Sequence, residues 1–170
     1  ESFSDKNSKN VRLVRGSHIV VNKLYDHDKS FICQNDDGRI FFMIPYEDKF
    51  TLIGTTDIDH GRSASEVEIS EEEKQYICDS ANTYLNAKIK LKDIVWSFSG
   101  VRPLYDDGVS KAQEATRDYV IKAEENDSLL MVNIFGGKIT TYRRLSEAIL
   151  KHIEEFLGKK GESWTSRSSL

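Results

Sequence analysis

Apolar residues alternate with polar ones in several short runs of this chain, which is typical of strands that bury one face. Such runs lie at 17–21, 30–34, 40–44, 50–54, 94–104, 118–123 and 129–135. An Asp-Gly step within 35–39 separates the second and third runs, and it predicts a hairpin because glycine accepts the positive φ of the turn. Residues 46–49 predict another tight connection. The pattern therefore indicates an antiparallel sheet.

Two longer segments repeat apolar residues at three- and four-residue spacing, the period of a helix with one buried face. The first begins with a capping box at Ser70 and Glu73 and is predicted over 71–87, with Glu71 to Glu73 as a solvated helix start. Its apolar face consists of Tyr76, Ile77, Ala81, Tyr84 and Leu85. The second ends near Gly158, and its apolar stripe consists of Tyr142, Leu145, Ile149, Ile153 and Phe156. Together these elements predict an α+β fold, a largely antiparallel sheet with flanking helices.

Composition narrows the classes of protein to consider. The chain has 170 residues with 38% hydrophobic content, enough to bury the core of an ordinary domain. Its net charge of −4 gives no general attraction for nucleic acid, so any cationic site is local. The apolar runs are shorter than the roughly 20 residues that span a bilayer, so no transmembrane segment is predicted. Cys33 and Cys78 have no cysteine or histidine cluster around them, which predicts reduced core thiols rather than a disulfide or zinc site.

The two ends suggest a piece of a longer protein. The chain begins with Glu1, and both methionines, Met43 and Met131, lie inside strand-like runs. Residues 1–11 are polar and lack the apolar core of a signal peptide, whereas 158–170 resemble a linker. We therefore expect the function to be that of a larger molecule.

Four stretches combine glycine with polar side chains where a strand begins or ends. They are 16–18, 54–57, 99–103 and 136–142. Such positions suit a binding site, because the sheet holds the side chain while a small neighbour lets a ligand approach the backbone. Within 54–57, we expect Thr55, Thr56 and Asp57 mainly to shape the turn that leaves the strand.

The stretch Gly136-Gly137-Lys138 joins an apolar strand to the start of the last helix. Free amide N–H groups and the helix dipole make such a junction attractive to a phosphate or to an electron-rich cofactor atom. It matches neither the P-loop nor the dinucleotide fingerprint. The alternative is an ordinary helix start in which Thr140 and Thr141 serve as caps.

Two arginines are candidates for anion recognition, Arg102 within a strand and Arg117 just before one. The planar guanidinium matches carboxylate or phosphate oxygens, although ion pairs with Asp106, Asp107 or Asp118 are the alternative.

His18 alternates with Ile19 and so faces away from it, where it could accept a proton near neutral pH or serve as a hydrogen-bonded structural residue. His60 lies close to Asp57 and Asp59, but further spaced ligands are missing, so we predict no metal site.

Taken in order, GSHIVV, IGTTD, SGVRPL, TRDY and FGGKITTYR resemble the signature of FAD-dependent, quinone-linked glycerol-3-phosphate dehydrogenases of the D-amino-acid-oxidase-like superfamily. The resemblance runs from about Arg12 to Leu157. It implies a substrate-binding cap domain at 12–128 and, at 129–157, a strand and helix that return to the FAD domain. Residues 1–11 would precede the cap, and 158–170 would link to a further domain. The family's GxGxxG unit and C-terminal helical domain are missing.

The resemblance implies FAD as cofactor, with most of its binding site outside this chain. The residues implied to lie against the flavin are Gly136, Gly137, Lys138, Ile139 and Thr140. Backbone N–H groups there would stabilise negative charge on the reduced ring.

For the substrate, glycerol 3-phosphate, the resemblance implies His18 and Arg102 beside the reacting C2 oxygen. Arg117 and Lys138 would place the substrate by its charge. Which group takes the proton is open, although chemistry favours His18 or a water it holds, because arginine is a poor base.

The implied reaction oxidises sn-glycerol 3-phosphate to dihydroxyacetone phosphate by hydride transfer to flavin, with quinone as electron acceptor. It implies a cytoplasmic enzyme, peripheral at the membrane, and leaves homo-oligomer formation open. One alternative is a related oxidase acting on an amine or 2-hydroxy acid, which Arg102, Arg117 and Lys138 disfavour, being more cationic than one carboxylate requires. Another is a folded binding module without turnover.

Overall fold

The computed structural model describes residues 11–61, 63–108 and 111–169. Within these ranges lie eight strands and two α-helices. They are β1 (Val11–Asn22), β2 (Phe31–Gln34), β3 (Ile40–Tyr46), β4 (Phe50–Gly54), β5 (Ile58–Asp59), α1 (Glu71–Asn82), β6 (Ile94–Tyr105), β7 (Val120–Asn126), β8 (Leu129–Phe135) and α2 (Tyr142–Leu157). The predicted α+β class with antiparallel strands is confirmed. The polar segment expected at 1–11 lies outside the described residues, apart from residue 11, which begins β1.

The larger sheet has the strand order β2-β3-β4-β1-β5, and β6 also pairs with β1. β1 and β4 run antiparallel with His18 opposite Gly54, and β3 and β4 run antiparallel with Phe42 opposite Gly54. Residues that face each other across neighbouring strands point to the same side of a sheet. His18, Gly54 and Phe42 therefore form one row across a single face.

Both predicted connections are confirmed. In the first, the Asn35 N–H donates to the Arg39 carbonyl at 2.9 Å, and Gly38 has φ +82°. In the second, Glu47 and Asp48 have φ values of 49° and 57°. These left-handed residues turn the chain between β3 and β4 within four residues.

The core of the larger sheet lies between its strands and α1. It consists of Ile19, Val21, Cys33, Phe41, Met43, Ile53, Ile77, Cys78, Ala81 and Ile89. Both cysteines are free and buried, which confirms the prediction of reduced core thiols. Burial, with a smaller contribution from nearby carboxylates, raises the pKa of Cys78 to about 11, so this thiol remains protonated.

The first helix is shorter than predicted and ends at Asn82 rather than near residue 87. The Asn82 side chain donates to the Ile89 carbonyl and accepts from the Ile89 N–H, both at 2.9 Å, and so holds a turn after the helix. Tyr84, predicted on the buried face, lies beyond the helix end and is 50% exposed, with its hydroxyl donating to the Gln34 carbonyl. The capping box of Ser70 and Glu73 is confirmed.

The described residues divide into two compact units. Residues 13–102 and 111–113 form the sheet unit, and residues 11–12, 103–108 and 114–169 form the hairpin unit. In the hairpin unit β7 pairs with β8 along its whole length, from Val120 opposite Phe135 to Asn126 opposite Leu129. The helix α2 ends as predicted, at Gly158 with φ +81°. The domain boundary between 128 and 129 stays a prediction, although this hairpin joins the residues on its two sides.

The placement of the core predicts that truncation of two isoleucines of the sheet unit will change the free energy of unfolding by different amounts. Ile53 is 0% exposed and Ile32 is 74% exposed. We expect Ile53→Ala to lower the free energy of unfolding by about 2–5 kcal/mol, because the lost methyl groups leave a cavity. Ile32→Ala should change it by no more than ~0.5 kcal/mol. Urea denaturation followed by circular dichroism measures both, and equal losses would contradict this core.

Candidate functional site

The face of the large sheet that points away from α1 carries His18 and Arg102. Because side chains alternate along a strand, the buried Ile19 faces α1 while His18 lies on the opposite side, as predicted. The His18 ring stacks on Phe98, with centroids 5.0 Å apart and planes inclined by 7°. Trp96 lies beside Phe98, at a centroid distance of 5.0 Å. β6 therefore supplies both an aromatic surface and Arg102 to this face.

Two glycines make room for the two candidate catalytic side chains. A Cβ added to Gly16 would lie 2.2 Å from the guanidinium nitrogens of Arg102. A Cβ added to Gly54 would lie 2.4 Å from Cδ2 of His18. Each side chain therefore packs directly over the backbone of a neighbouring strand, which explains glycine at both positions.

The Arg102 guanidinium is held by the residues that follow β4. Its Nη1 lies 3.1 Å from Oδ1 of Asp57, and its Nη2 donates to Oγ1 of Thr55 at 2.9 Å. Nη1 also lies 3.4 Å from the Thr56 carbonyl oxygen. For Arg102 the structure records Asp57 as an ion-pair partner, a residue not among Asp106, Asp107 and Asp118, the ion-pair candidates from the sequence. Thr55 and Asp57 thus orient Arg102 as well as shaping the turn.

One ring nitrogen of His18 makes no hydrogen bond. Its Nδ1 is buried and has no hydrogen-bond partner among the described residues. Burial, followed by the nearby charge of Arg102, lowers the pKa of His18 below its usual value of 6.5. The imidazole is therefore neutral at pH 7, with a lone pair on one ring nitrogen. A buried polar atom without a partner is costly, and such a cost is more often tolerated at functional sites than elsewhere.

At the acidic start of α1, Glu71 and Glu72 are exposed as expected, but Glu73 is not. Glu73 is only 1% exposed, and its carboxylate contacts Ser17 and Thr56. Sequence reasoning recognised Glu73 as a capping residue but missed this burial, because both partners lie on other elements. It also missed Phe98, for which the two-residue spacing from Trp96 and Gly100 in β6 was the available signal.

The remaining candidates lie in the hairpin unit. Arg117 is half-buried, and Lys138, Ile139 and Thr140 are exposed. Gly136 and Gly137 have φ values of +68° and +103°, and a Cβ on Gly136 would lie 3.0 Å from the Asp118 carbonyl oxygen. Only glycine fits this tight passage from β8 toward α2.

The capping alternative for this junction needs correction. A short 3-10 turn at Ile139–Thr141 precedes α2, and the Thr141 hydroxyl makes no capping bond to α2. Instead, it accepts from the Lys138 N–H at 3.2 Å and donates to the Lys138 carbonyl at 3.0 Å. The exposed 139–140 segment therefore rests on a backbone turn closed by Thr141.

The structure brings His18 and Arg102 together in the sheet unit, whereas Arg117, Lys138 and 136–140 belong to the hairpin unit. The group around His60 has other partners, since its Nε2 lies 3.0 Å from the Ser63 carbonyl and Asp57 pairs with Arg102. Over 11–61, 63–108 and 111–169, no three histidine, cysteine or acidic side chains are grouped to hold a metal ion.

Comparison with known proteins places the chain in a family. The sequence of residues 2–143 matches the family model that describes FAD-dependent oxidoreductases. The chain belongs to this family. It is 40% identical, over its whole length, to a glycerol-3-phosphate dehydrogenase of Pseudomonas aeruginosa, covering 33% of that protein. It is 42% identical, over 96% of its length, to the D-erythritol 1-phosphate dehydrogenase of Brucella abortus, covering 32% of it. An aerobic glycerol-3-phosphate dehydrogenase of Escherichia coli is 41% identical over 94% of the chain, which covers 32% of that relative.

The chain thus spans about a third of the length of these curated relatives. Among solved structures, the glycerol-3-phosphate dehydrogenase of Bacillus halodurans complexed with FAD superposes with a TM-score of 0.65 at 26% identity. The match covers 92% of this chain and 29% of that one. The L-alpha-glycerophosphate oxidase of Mycoplasma pneumoniae, at 19% identity and a TM-score of 0.54 over 94% of this chain and 40% of that one, shares the fold. The resemblance predicted from the five motifs is confirmed.

The environment of His18 predicts how its pKa changes when the charge of Arg102 is removed. In a nuclear magnetic resonance titration of the 170-residue chain, we expect His18 to titrate below 6.5. Arg102→Met should raise this pKa, because it removes the nearby positive charge while burial remains. Since the unfolded chain binds this proton more readily, the stability contributed by neutral His18 is present above pH 6.5 and is lost as the pH falls from there toward the folded pKa.

The control is Lys88→Met in the same unit. Lys88 is exposed beyond the end of α1, where its Nζ donates to the Leu85 carbonyl at 2.8 Å. Its removal should leave the His18 titration unchanged. An unchanged or lower His18 pKa in Arg102→Met would contradict the proximity of the two side chains.

Proposed function

We propose that the protein containing this chain oxidises sn-glycerol 3-phosphate to dihydroxyacetone phosphate with FAD as cofactor. In this proposal the chain supplies the substrate-binding side of the active site. The observation that carries it is that His18, whose buried Nδ1 has no partner among the described residues, lies close to Arg102 on the face of the sheet that points away from α1. The names of two relatives at about 40% identity support the choice of substrate.

His18 accepts the proton of the C2 hydroxyl group, directly or through a water. Oxidation of a secondary alcohol removes a hydride from carbon and a proton from oxygen, so the site needs a base. Bound FAD supplies the acceptor for the hydride. The lowered pKa keeps the imidazole deprotonated and able to accept a proton at neutral pH, and it also makes His18 a weaker base than a free histidine. Stacking on Phe98 fixes the plane of the ring and thereby the direction of its lone pair.

Arg102 stabilises the negative charge that develops on the C2 oxygen as the proton leaves. A permanently charged guanidinium strengthens such a contact, and preorganisation reduces its cost. Thr55 and Asp57 hold the guanidinium before substrate arrives. Arg117 and Lys138 bind the phosphate dianion in this proposal. A doubly charged phosphate explains why the candidate site has three cationic side chains, more than a substrate with a single carboxylate would need.

Residues 136–140 would hold the flavin. The fit rests on two features of the hairpin unit. Gly136 and Gly137 adopt positive φ values in a tight passage, and Ile139 is 88% exposed, leaving apolar surface that a planar ring can cover. Backbone N–H groups of this loop would stabilise negative charge on the reduced ring.

A second candidate substrate is D-erythritol 1-phosphate, since the relative named for it is 42% identical to this chain. Both compounds are phosphorylated polyols, so His18 and Arg102 can serve either one. Comparing kcat/KM for the two substrates separates these candidates.

The finer parts of the proposal concern the electron acceptor and the location. We infer quinone as the acceptor, a place in glycerol metabolism and a peripheral position at the cytoplasmic membrane, all from the family resemblance. Across the described ranges, the structure contains no helix with the length and apolar character needed to cross a bilayer.

The proposal predicts the behaviour of the whole flavoprotein. Under anaerobic conditions, glycerol 3-phosphate should bleach the visible absorbance of the bound flavin. Arg102→Lys should lower kcat by about 100-fold or more, because lysine cannot reproduce the preorganised guanidinium contacts. Arg39→Lys, which alters an arginine paired with Asp37, should keep near-normal turnover. Near-normal turnover in Arg102→Lys would refute the placement.

The close approach of Arg102 to β1 gives a second prediction. Gly16→Ala places a methyl group where the guanidinium lies, and this flexible side chain can move aside with little cost to the fold. Displaced from Thr55 and Asp57, Arg102 should no longer act, and kcat should fall by about tenfold or more at nearly unchanged Tm. Gly61→Ala is the control, because among the described residues other than its chain neighbours no atom lies within 4 Å of the added Cβ. Normal kcat in Gly16→Ala would contradict the prediction.

A further inference from the structure

A buried carboxylate lies behind the candidate site, on the α1 side of the sheet. Glu73 is 1% exposed, and each of its oxygens has two partners. Oε1 accepts from the Ser17 hydroxyl and from the Thr56 hydroxyl, both at 2.7 Å. Oε2 accepts from the Ser70 N–H at 3.0 Å and lies 2.8 Å from Nη2 of Arg15. The four sites at which a carboxylate commonly accepts hydrogen bonds are therefore occupied.

The chemistry of the carboxylate fixes the direction of the neighbouring hydrogen bonds. An ionised carboxylate only accepts, so Ser17 and Thr56 both donate to Glu73. The single hydroxyl proton of Ser17 is thereby used, and Ser99, whose Oγ lies 2.7 Å away, must donate to Ser17. Thr56 Oγ1 in turn accepts from the Ser17 N–H at 3.0 Å. Glu73, Ser17, Thr56 and Ser99 form one connected set, the Glu73 network.

Apart from Glu73 itself, every member of the Glu73 network is next in sequence to a residue of the candidate site. Ser17 precedes His18, and Ser99 follows Phe98, whose ring stacks on His18. Thr56 stands between Thr55 and Asp57, which hold the Arg102 guanidinium. The network therefore joins three separate chain segments that carry the site on the opposite face.

A helix cap alone does not explain this arrangement. The capping box uses only the bonds between Ser70 and Glu73, and glutamates at such positions ordinarily lie at the surface. The contacts to Ser17, Thr56 and Arg15 are additional, and they come from β1 and from the segment after β4. Their effect is to tie strands that bear site residues to the start of α1.

The charge of Glu73 is retained despite its burial. Burial alone would raise the pKa of this carboxyl, but hydrogen bonds from Ser17, Ser70 and Thr56, together with Arg15, outweigh it and lower the pKa. The group therefore remains an acceptor through the neutral range. A protonated Glu73 would leave one of its donors without an acceptor.

We infer that Glu73 is a positioning residue for the oxidation. Its buried carboxylate fixes the mutual placement of the segments that hold His18 and Arg102, without touching substrate or flavin. This inference rests on the proposed function, in which His18 and Arg102 act on the C2 oxygen.

The test compares Glu73→Gln with a matched variant of α1 in the whole flavoprotein. Glutamine keeps the shape but replaces one accepting oxygen with an amide that cannot accept, so the segments should loosen. We expect kcat per bound flavin to fall by about tenfold or more, with a smaller change in KM because the phosphate contacts remain. Ile77→Val lies on the same helix and faces the core, so it should lower Tm without changing kcat per bound flavin.

A double variant gives a further kinetic readout. If Glu73 acts through the placement of Arg102, the effect of Glu73→Gln should be much smaller in an Arg102→Lys background than in the native protein. Fully multiplicative losses would contradict that link. Should Glu73→Gln fail to fold, Ser17→Ala removes one donor to the carboxylate and should lower kcat in the same direction by a smaller factor.

A readout independent of turnover is the titration of His18 in the 170-residue chain. Loss of a negative charge near His18 would lower its pKa, whereas loosening would expose the ring, move Arg102 away and raise it. We expect a rise in Glu73→Gln and no change in Ile77→Val. A fall, or native kcat with only a lower Tm, would overturn the inference and leave Glu73 as a structural residue.

The two proposals fail in different ways. If polyol phosphates do not reduce the flavin of the native protein, the proposed function fails, and the His18 titration still decides whether Glu73 positions the segments. If the native protein is active and Arg102→Lys is not, while Glu73→Gln keeps native kcat, only the inference about Glu73 fails.

Discussion

The two-residue alternation of β1 determines what each face of the large sheet can do. Ser17 and Ile19 point toward α1, where one joins the Glu73 network and the other fills the core. His18, between them, points to the opposite face. A shift of register by one residue would exchange these sets, burying an imidazole in the core and exposing Ile19. The burial of Ile19 therefore fixes the direction of His18, and the packing energy of the core also maintains the site.

The candidate site combines one side chain that can change charge with one that cannot. Arg102 stays positive throughout the relevant pH range, and its charge opposes protonation of His18. Asp57 offsets part of that charge and holds the guanidinium in place. The imidazole is thereby kept neutral beside a cation, with a lower affinity for a proton, while the cation can stabilise the negative charge on an oxygen that loses its proton.

Local sequence signals predicted local structure well. Gly38 marked its hairpin turn, the Ser70 and Glu73 pattern marked the start of α1, and alternation gave the direction of His18. The signals failed where a partner lies far along the chain. Ser17 and Thr56, which bury the Glu73 carboxylate, precede it by 56 and 17 positions, and Arg102 pairs with Asp57, a carboxylate 45 positions away that local spacing does not indicate. The premature end of α1 follows from the bonds between the Asn82 side chain and Ile89, which helical periodicity does not encode.

The chain is similar to enzymes named for two different polyol phosphates. On the proposed function, His18 and Arg102 act at the reacting carbon and its oxygen, which both substrates present in the same chemical form. Discrimination between a three-carbon and a four-carbon chain must then come from residues that contact the rest of the polyol. The reaction and the length of the substrate are therefore separable properties, and a change in substrate does not require a change in the pair of side chains that carries the chemistry.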